Sequence, residues 1–105
     1  MNICRATLSD APYLVRLADE AYRHYIARIG RPPAPMPADF TRHITDDTVF
    51  IAINDVICGY VVLCHDLVCW RLDNIAVAPS SQRQDIEAAL FRHSEFFMEQ
   101  REAVS

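Results

Sequence analysis

Between Trp70 and Leu90 the chain holds a short apolar strand, Leu72 to Val77, a break at Pro79, Ser80-Ser81 as a cap, and the first turns of an amphipathic helix. A strand that turns into a helix N-terminus presents unpaired backbone N–H groups and the positive end of the helix dipole, and both suit a phosphate. Anion binding is therefore the chemistry this junction invites. Its side chains carry the opposite charge: Gln82-Arg83-Gln84-Asp85-Ile86-Glu87 brings two carboxylates and one guanidinium. Acids in a first turn stabilise the helix itself by about 0.3–1 kcal/mol each, so helix capping is the plainer role for Asp85 and Glu87. Arg83 is expected to pair at the surface.

Two other groups of residues invite a chemical reading. If Asp66-Leu67 forms a two-residue turn, His65 pairs with Val68 and Cys64 lies opposite Cys69 on one face of a hairpin. Cys4 and Cys58 are placed in the same sheet. No Cys-x-x-Cys spacing and no set of four ligands accompanies them, so buried reduced thiols are the expectation, with a metal site or a disulfide as the alternative. His43, His65 and His93 show no partner pattern and are assigned to surface or packing. Tyr22, His24, Tyr25 and Arg28 close a long helical stripe, where aromatic residues generally pack.

The elements that must position these residues follow from pattern. Asn2 to Thr7 reads as a strand, and Ser9-Asp10 with Pro12 opens a helix. Leu14, Leu17, Ala18, Ala21, Tyr22, Tyr25, Ile26 and Ile29 form its apolar face, and Gly30 stands as its C-cap. Residues Arg31 to Pro37 hold four of the six prolines and read as an extended connector, followed by a short helix from Ala38 to Ile44. Thr48 to Ile53 and Val56 to His65 make an antiparallel hairpin around Asn54-Asp55, and the strand Val68 to Val77 joins it. The last helix, Ser81 to Arg101, has a Ser81/Gln84 capping pair and a face of Ile86, Ala89, Leu90, Phe96 and Phe97.

Composition sets the bounds. A chain of 105 residues, 51% hydrophobic, supports one small globular core. A net charge of -4 with dispersed basic residues argues against a nucleic-acid surface. All ten basic residues are arginine, which excludes lysine nucleophiles and Schiff bases. The longest apolar run, Val56 to Cys64, is too short to span a bilayer and the N-terminus lacks a signal-peptide pattern, so no membrane role and a cytoplasmic location are expected.

The stretch Leu72-Asp73-Asn74-Ile75-Ala76-Val77-Ala78-Pro79 resembles the strand of the GNAT superfamily of acyl-CoA-dependent N-acyltransferases, Leu-x-Asn/Asp-Ile-Ala-Val-x-Pro. In that family the strand leads into a Gln/Arg-x-x-Gly-x-Gly/Ala loop that holds the cofactor pyrophosphate on its backbone amides. Gln82 to Glu87 occupy that place, with Asp85 and Glu87 at the two glycine positions. The Tyr22 to Gly30 stretch and the proline-rich link resemble a group of small family members. The resemblance implies an α/β fold of order β-α-α-β-β-β-α, a mostly antiparallel four-stranded sheet with helices packed on it, spanning residues 1 to 105 as a single domain.

The same resemblance implies acetyl-CoA as cofactor and a small-molecule or peptide amine as acceptor. The backbone of Ile75, Ala76 and Val77 would bind the pantetheine arm and polarise the thioester. Asp73 and Asn74 are nearest to the place of a general base, and Tyr22, Tyr25 and Arg28 border the acceptor region. Glycine lets a backbone approach the pyrophosphate, whereas Asp85 and Glu87 obstruct and repel it, so coenzyme A binding is expected to be weak or lost. A full-length member continues into further strands that carry a tyrosine acid. Without them the Leu72 to Val77 strand is a sheet edge, and a homodimer through it is expected. Two functions follow: an N-acetyltransferase with impaired or absent catalysis, or a non-catalytic homodimeric remnant serving as an interaction module.

Overall fold

The computed structural model describes residues 1–29, 39–79 and 85–104, with side chains described for 1–23, 39–79 and 85–101. Strand β1 (Asn2–Arg5) is followed by α1 (Ala11–Ile29), α2 (Phe40–Asp46), β2 (Thr48–Asn54), β3 (Val56–His65), β4 (Trp70–Val77) and α3 (Ile86–Val104). The four strands form one antiparallel sheet in the order β1-β2-β3-β4. This is the expected element order.

Most of β2 and the middle of β3 are buried, because helices cover both faces of the sheet. Strands covered on both sides read as unbroken apolar runs rather than alternating ones. Leu14 and Leu17 of α1 and Phe40 of α2 pack with Val49, Ile51, Tyr60 and Val62 on one face. Ile86 and Leu90 of α3 pack with Phe50, Ala52, Val61, Leu63 and Val77 on the other.

Several boundaries differ from expectation, each for a local reason. β1 ends at Arg5 and not Thr7, because the Thr7 N–H turns to the Asp10 carboxylate at 2.8 Å and opens a short 3-10 turn. α2 begins at Phe40, after Asp39 caps it by accepting the Arg42 N–H at 3.1 Å. β4 begins at Trp70 and not Val68. The Asp66 carboxylate accepts the N–H groups of Val68 and Cys69 at 2.8 and 2.9 Å, making a wider loop in place of the two-residue turn. His65 therefore pairs with Trp70 and Cys64 with Arg71, so Cys64 does not face Cys69. All four cysteines are free thiols. Gly30, the Arg31 to Pro37 connector and the Ser81/Gln84 pair lie outside the described residues.

α3 starts at Ile86, not Ser81. Asp85 has φ 55°, in the left-handed region, and its carbonyl accepts the Ala89 N–H at 3.1 Å, which places it as the residue before the helix. Phe96, expected on the core face, is 64% exposed; Ser94 takes the buried position instead and returns its hydroxyl to the Leu90 carbonyl at 2.8 Å. No helix among the described residues is long and apolar enough to cross a membrane.

Candidate functional site

The β4 strand carries one extra residue. Val62 pairs with Asn74 and Leu63 with Leu72, which leaves Asp73 unmatched in a bulge. A bulge rotates the strand locally and re-aims its side chains. Trp70 and Leu72 consequently share the α3 face with Ile75 and Val77, while Asn74 and Ala76 turn to the α1 face.

Of the residues expected to do chemistry on this strand, Asp73 is exposed at the bulge and Asn74 is committed to a structural partner. The Asn74 side-chain amide donates to the Tyr60 hydroxyl at 2.9 Å. Tyr60 is fully buried and packs edge to face on Phe40 at 5.0 Å. Burial pushes the Tyr60 hydroxyl above its ordinary pKa of 10.0, and the bond from Asn74 opposes that rise. Ile75 and Ala76 are half-buried, Val77 is buried, and the outer edge of β4 has no strand neighbour among the described residues.

Tyr60 was not singled out by sequence pattern, although a tyrosine inside an apolar run needs a hydroxyl partner when buried. Its pairing gives a direct expectation. Tyr60→Phe leaves the Asn74 amide without its acceptor and should cost about 1 kcal/mol, read as a lower denaturant midpoint. The pH dependence has a defined sign. A group whose folded pKa is raised contributes stability that is complete below the unfolded value and is lost above it. Stability should therefore fall as pH rises past 10, where unfolded Tyr60 ionises, and Tyr60→Phe should reduce that fall. A Tyr60→Phe protein whose alkaline profile matches the parent would refute the assignment.

On the same face, His43 Nδ1 lies 2.7 Å from the Asp47 carboxylate, and both side chains are nearly enclosed. The half-buried Cys64 thiol is pushed up by burial first and then by the carboxylates of Asp47 and Asp73, with Arg71 opposing. A thiol shifted upward is a poor nucleophile at neutral pH. No group of three or more potential metal ligands is present among the described residues. Tyr22 is half-buried on α1, and the side chains of Tyr25 and Arg28 lie outside the described set, as do Gln82, Arg83 and Gln84.

At the opening of α3, Asp85 and Glu87 are both exposed and line a cavity of about 480 Å³ with Ala88, Phe91 and Arg92. The left-handed backbone at Asp85 is the conformation glycine adopts without steric cost. Here a carboxylate occupies it. Two carboxylates against one guanidinium make the described part of this opening a poor fit for a pyrophosphate.

Sequence comparison matches no protein-family model and no curated protein. Comparison of structures does. The PaiA N-acetyltransferase of Thermoplasma acidophilum, solved with coenzyme A, superposes with a TM-score of 0.81 at 16% identity over 95% of this chain and 72% of that one. The fold is GNAT-like. An acetyltransferase from Vibrio fischeri aligns at TM-score 0.74 and 17% identity, over 96% of this chain and 88% of its own. The Escherichia coli ribosomal-protein-S18-alanine N-acetyltransferase aligns at 0.68 and 20%, over 95% of this chain and 60% of its own. In this GNAT fold, β4 and the α3 opening are the elements that the sequence resemblance associates with the cofactor.

Proposed function

We propose that this chain is a GNAT-type acyl-transfer protein, acting from acetyl-CoA toward a small-molecule or peptide amine, whose catalysis is impaired or absent. The observation that carries the reading is the pair of carboxylates at the α3 opening, with Asp85 in a left-handed backbone suited to glycine. The four-stranded sheet carries the β4 backbone, whereas the described opening of α3 holds two carboxylates beside the Arg92 guanidinium. Asp73 stands exposed at the bulge, nearest to the general-base place that the resemblance implies, while Asn74 braces the strand through Tyr60.

Calorimetric titration with acetyl-CoA tests the proposal. No binding is expected up to about 1 mM, a free energy weaker than about 4 kcal/mol. Micromolar binding would refute the impairment.

A second reading rests on the outer edge of β4. The outer edge of this eight-residue strand has no strand neighbour among the described residues and, with Ile75 and Ala76 half-buried, offers a template for a second copy of the chain. As a homodimeric interaction module of the cytoplasm, the protein would sediment at twice its chain mass. A monomer at micromolar concentration would remove this reading.

A further inference from the structure

At the other end of α3, away from the acidic opening, a cavity of about 850 Å³ is floored by the rings of Phe50, Trp70 and Phe97. Phe97 meets Phe50 at 5.2 Å and Trp70 at 5.3 Å, in both cases edge to face. Trp70 and Phe97 are only half-buried, so these rings present apolar surface to the solvent. The volume falls within the range of about 300–1,000 Å³ that small-ligand sites occupy.

Two arginines rim the floor. The Arg5 guanidinium stands 5.9 Å from the Phe50 ring centre and donates to the buried Thr48 hydroxyl at 3.2 Å, which holds it in place. Arg101, in the last turn of α3, stands 4.8 Å from the Phe97 ring centre. A guanidinium lying against an aromatic ring keeps N–H groups in its own plane for a carboxylate. Among the described residues no carboxylate lines the cavity, and none lies within 4.0 Å of either guanidinium. His65 and His93 also face the cavity. In a chain of net charge -4, this gathers two guanidiniums at an aromatic surface where no acid among the described residues pairs with them.

We propose that this cavity binds a small aryl carboxylate, with its ring on the Phe50, Trp70 and Phe97 floor and its carboxylate at the Arg5 and Arg101 guanidiniums. The aromatic rings select a flat apolar body and the arginines select its charge. The site is separate from the α3 opening and stands whether or not acyl transfer occurs.

Trp70 is the only tryptophan, so its indole N–H gives a single reporter resonance in the ¹⁵N-labelled protein. Titration with 2-naphthoate should shift that resonance saturably. The neutral 2-naphthylmethanol, which lacks the charge, and acetate, which lacks the ring, should bind at least about tenfold more weakly. Arg101→Gln, at an exposed helical position, and Arg5→Gln should each weaken naphthoate by about tenfold, and a loss in either supports the site. No saturable shift, equal binding of the neutral analogue, or unchanged affinity in both variants would overturn it.

Discussion

Replacing Asp85 and Glu87 together by glycine should turn this protein into one that binds acetyl-CoA, with an affinity gain of at least about 30-fold over the parent. Each carboxylate near a pyrophosphate opposes it by roughly 1 kcal/mol or more after screening, and removing both compounds the gain. Glycine at position 85 also suits the left-handed backbone already present there, so no rearrangement is required of that residue. The helix loses the favourable charge at its first turn and takes a glycine at position 87, a combined cost of about 1–2 kcal/mol that thermal unfolding will report. Asp85→Asn with Glu87→Gln separates the two causes. It removes charge and keeps bulk, so it should recover part of the affinity, leaving the remainder to the space that glycine opens. If neither double variant binds by calorimetry, the carboxylates are not the barrier to acetyl-CoA.

That a helix opens after Pro79 was legible in the sequence, but neither its first residue nor the backbone before it was. Pro79, the two serines and the acids locate a helix start, yet three of the residues that spell it, Ser81, Gln84 and Asp85, all read as acceptable first-turn residues. Only the left-handed φ of Asp85 fixes the helix at Ile86. The β4 bulge left a trace in the sequence. Trp70, Leu72, Ile75 and Val77 alternate with a slip of one between Leu72 and Ile75, and a strand can bury all four on one face only by inserting a residue. Pattern reading with a strict period of two passes over that slip. The Asp66 loop was missed for a different reason, since a carboxylate that accepts two N–H groups lengthens a turn without changing the types of its neighbours. Tyr60 and Asn74 stand fourteen residues apart, and nothing local pairs them until β3 and β4 come into register.

Gly59→Val should destabilise the protein by about 2–3 kcal/mol, lowering its midpoint of thermal unfolding by roughly 10 °C or more. Gly59 lies in the middle of β3 opposite Val77, in ordinary backbone geometry, so conformational freedom is not what the position requires. Space is. A Cβ there would meet Leu90 Cδ1 at 3.1 Å, the Ala76 carbonyl oxygen at 3.2 Å and Ile86 Cγ2 at 3.2 Å. The two side-chain atoms belong to the residues that seat α3, and the oxygen belongs to the neighbouring strand, so neither the helix nor the sheet can yield freely. Valine adds two methyl groups to that crowding, outweighing its gain of up to about 1 kcal/mol in strand propensity. Leu90→Ala alone should cost about 2–5 kcal/mol by opening a cavity in the same place. Combining Leu90→Ala with Gly59→Ala should therefore cost less than the sum of the single changes, by about 0.5 kcal/mol or more, because the new methyl enters the space that Leu90 vacates. Strict additivity in urea denaturation would show that α3 does not rest on Gly59. The coupling matters beyond stability, since this contact seats the first turns of α3 against β3 and so sets where the Asp85 and Glu87 carboxylates stand relative to the end of β4.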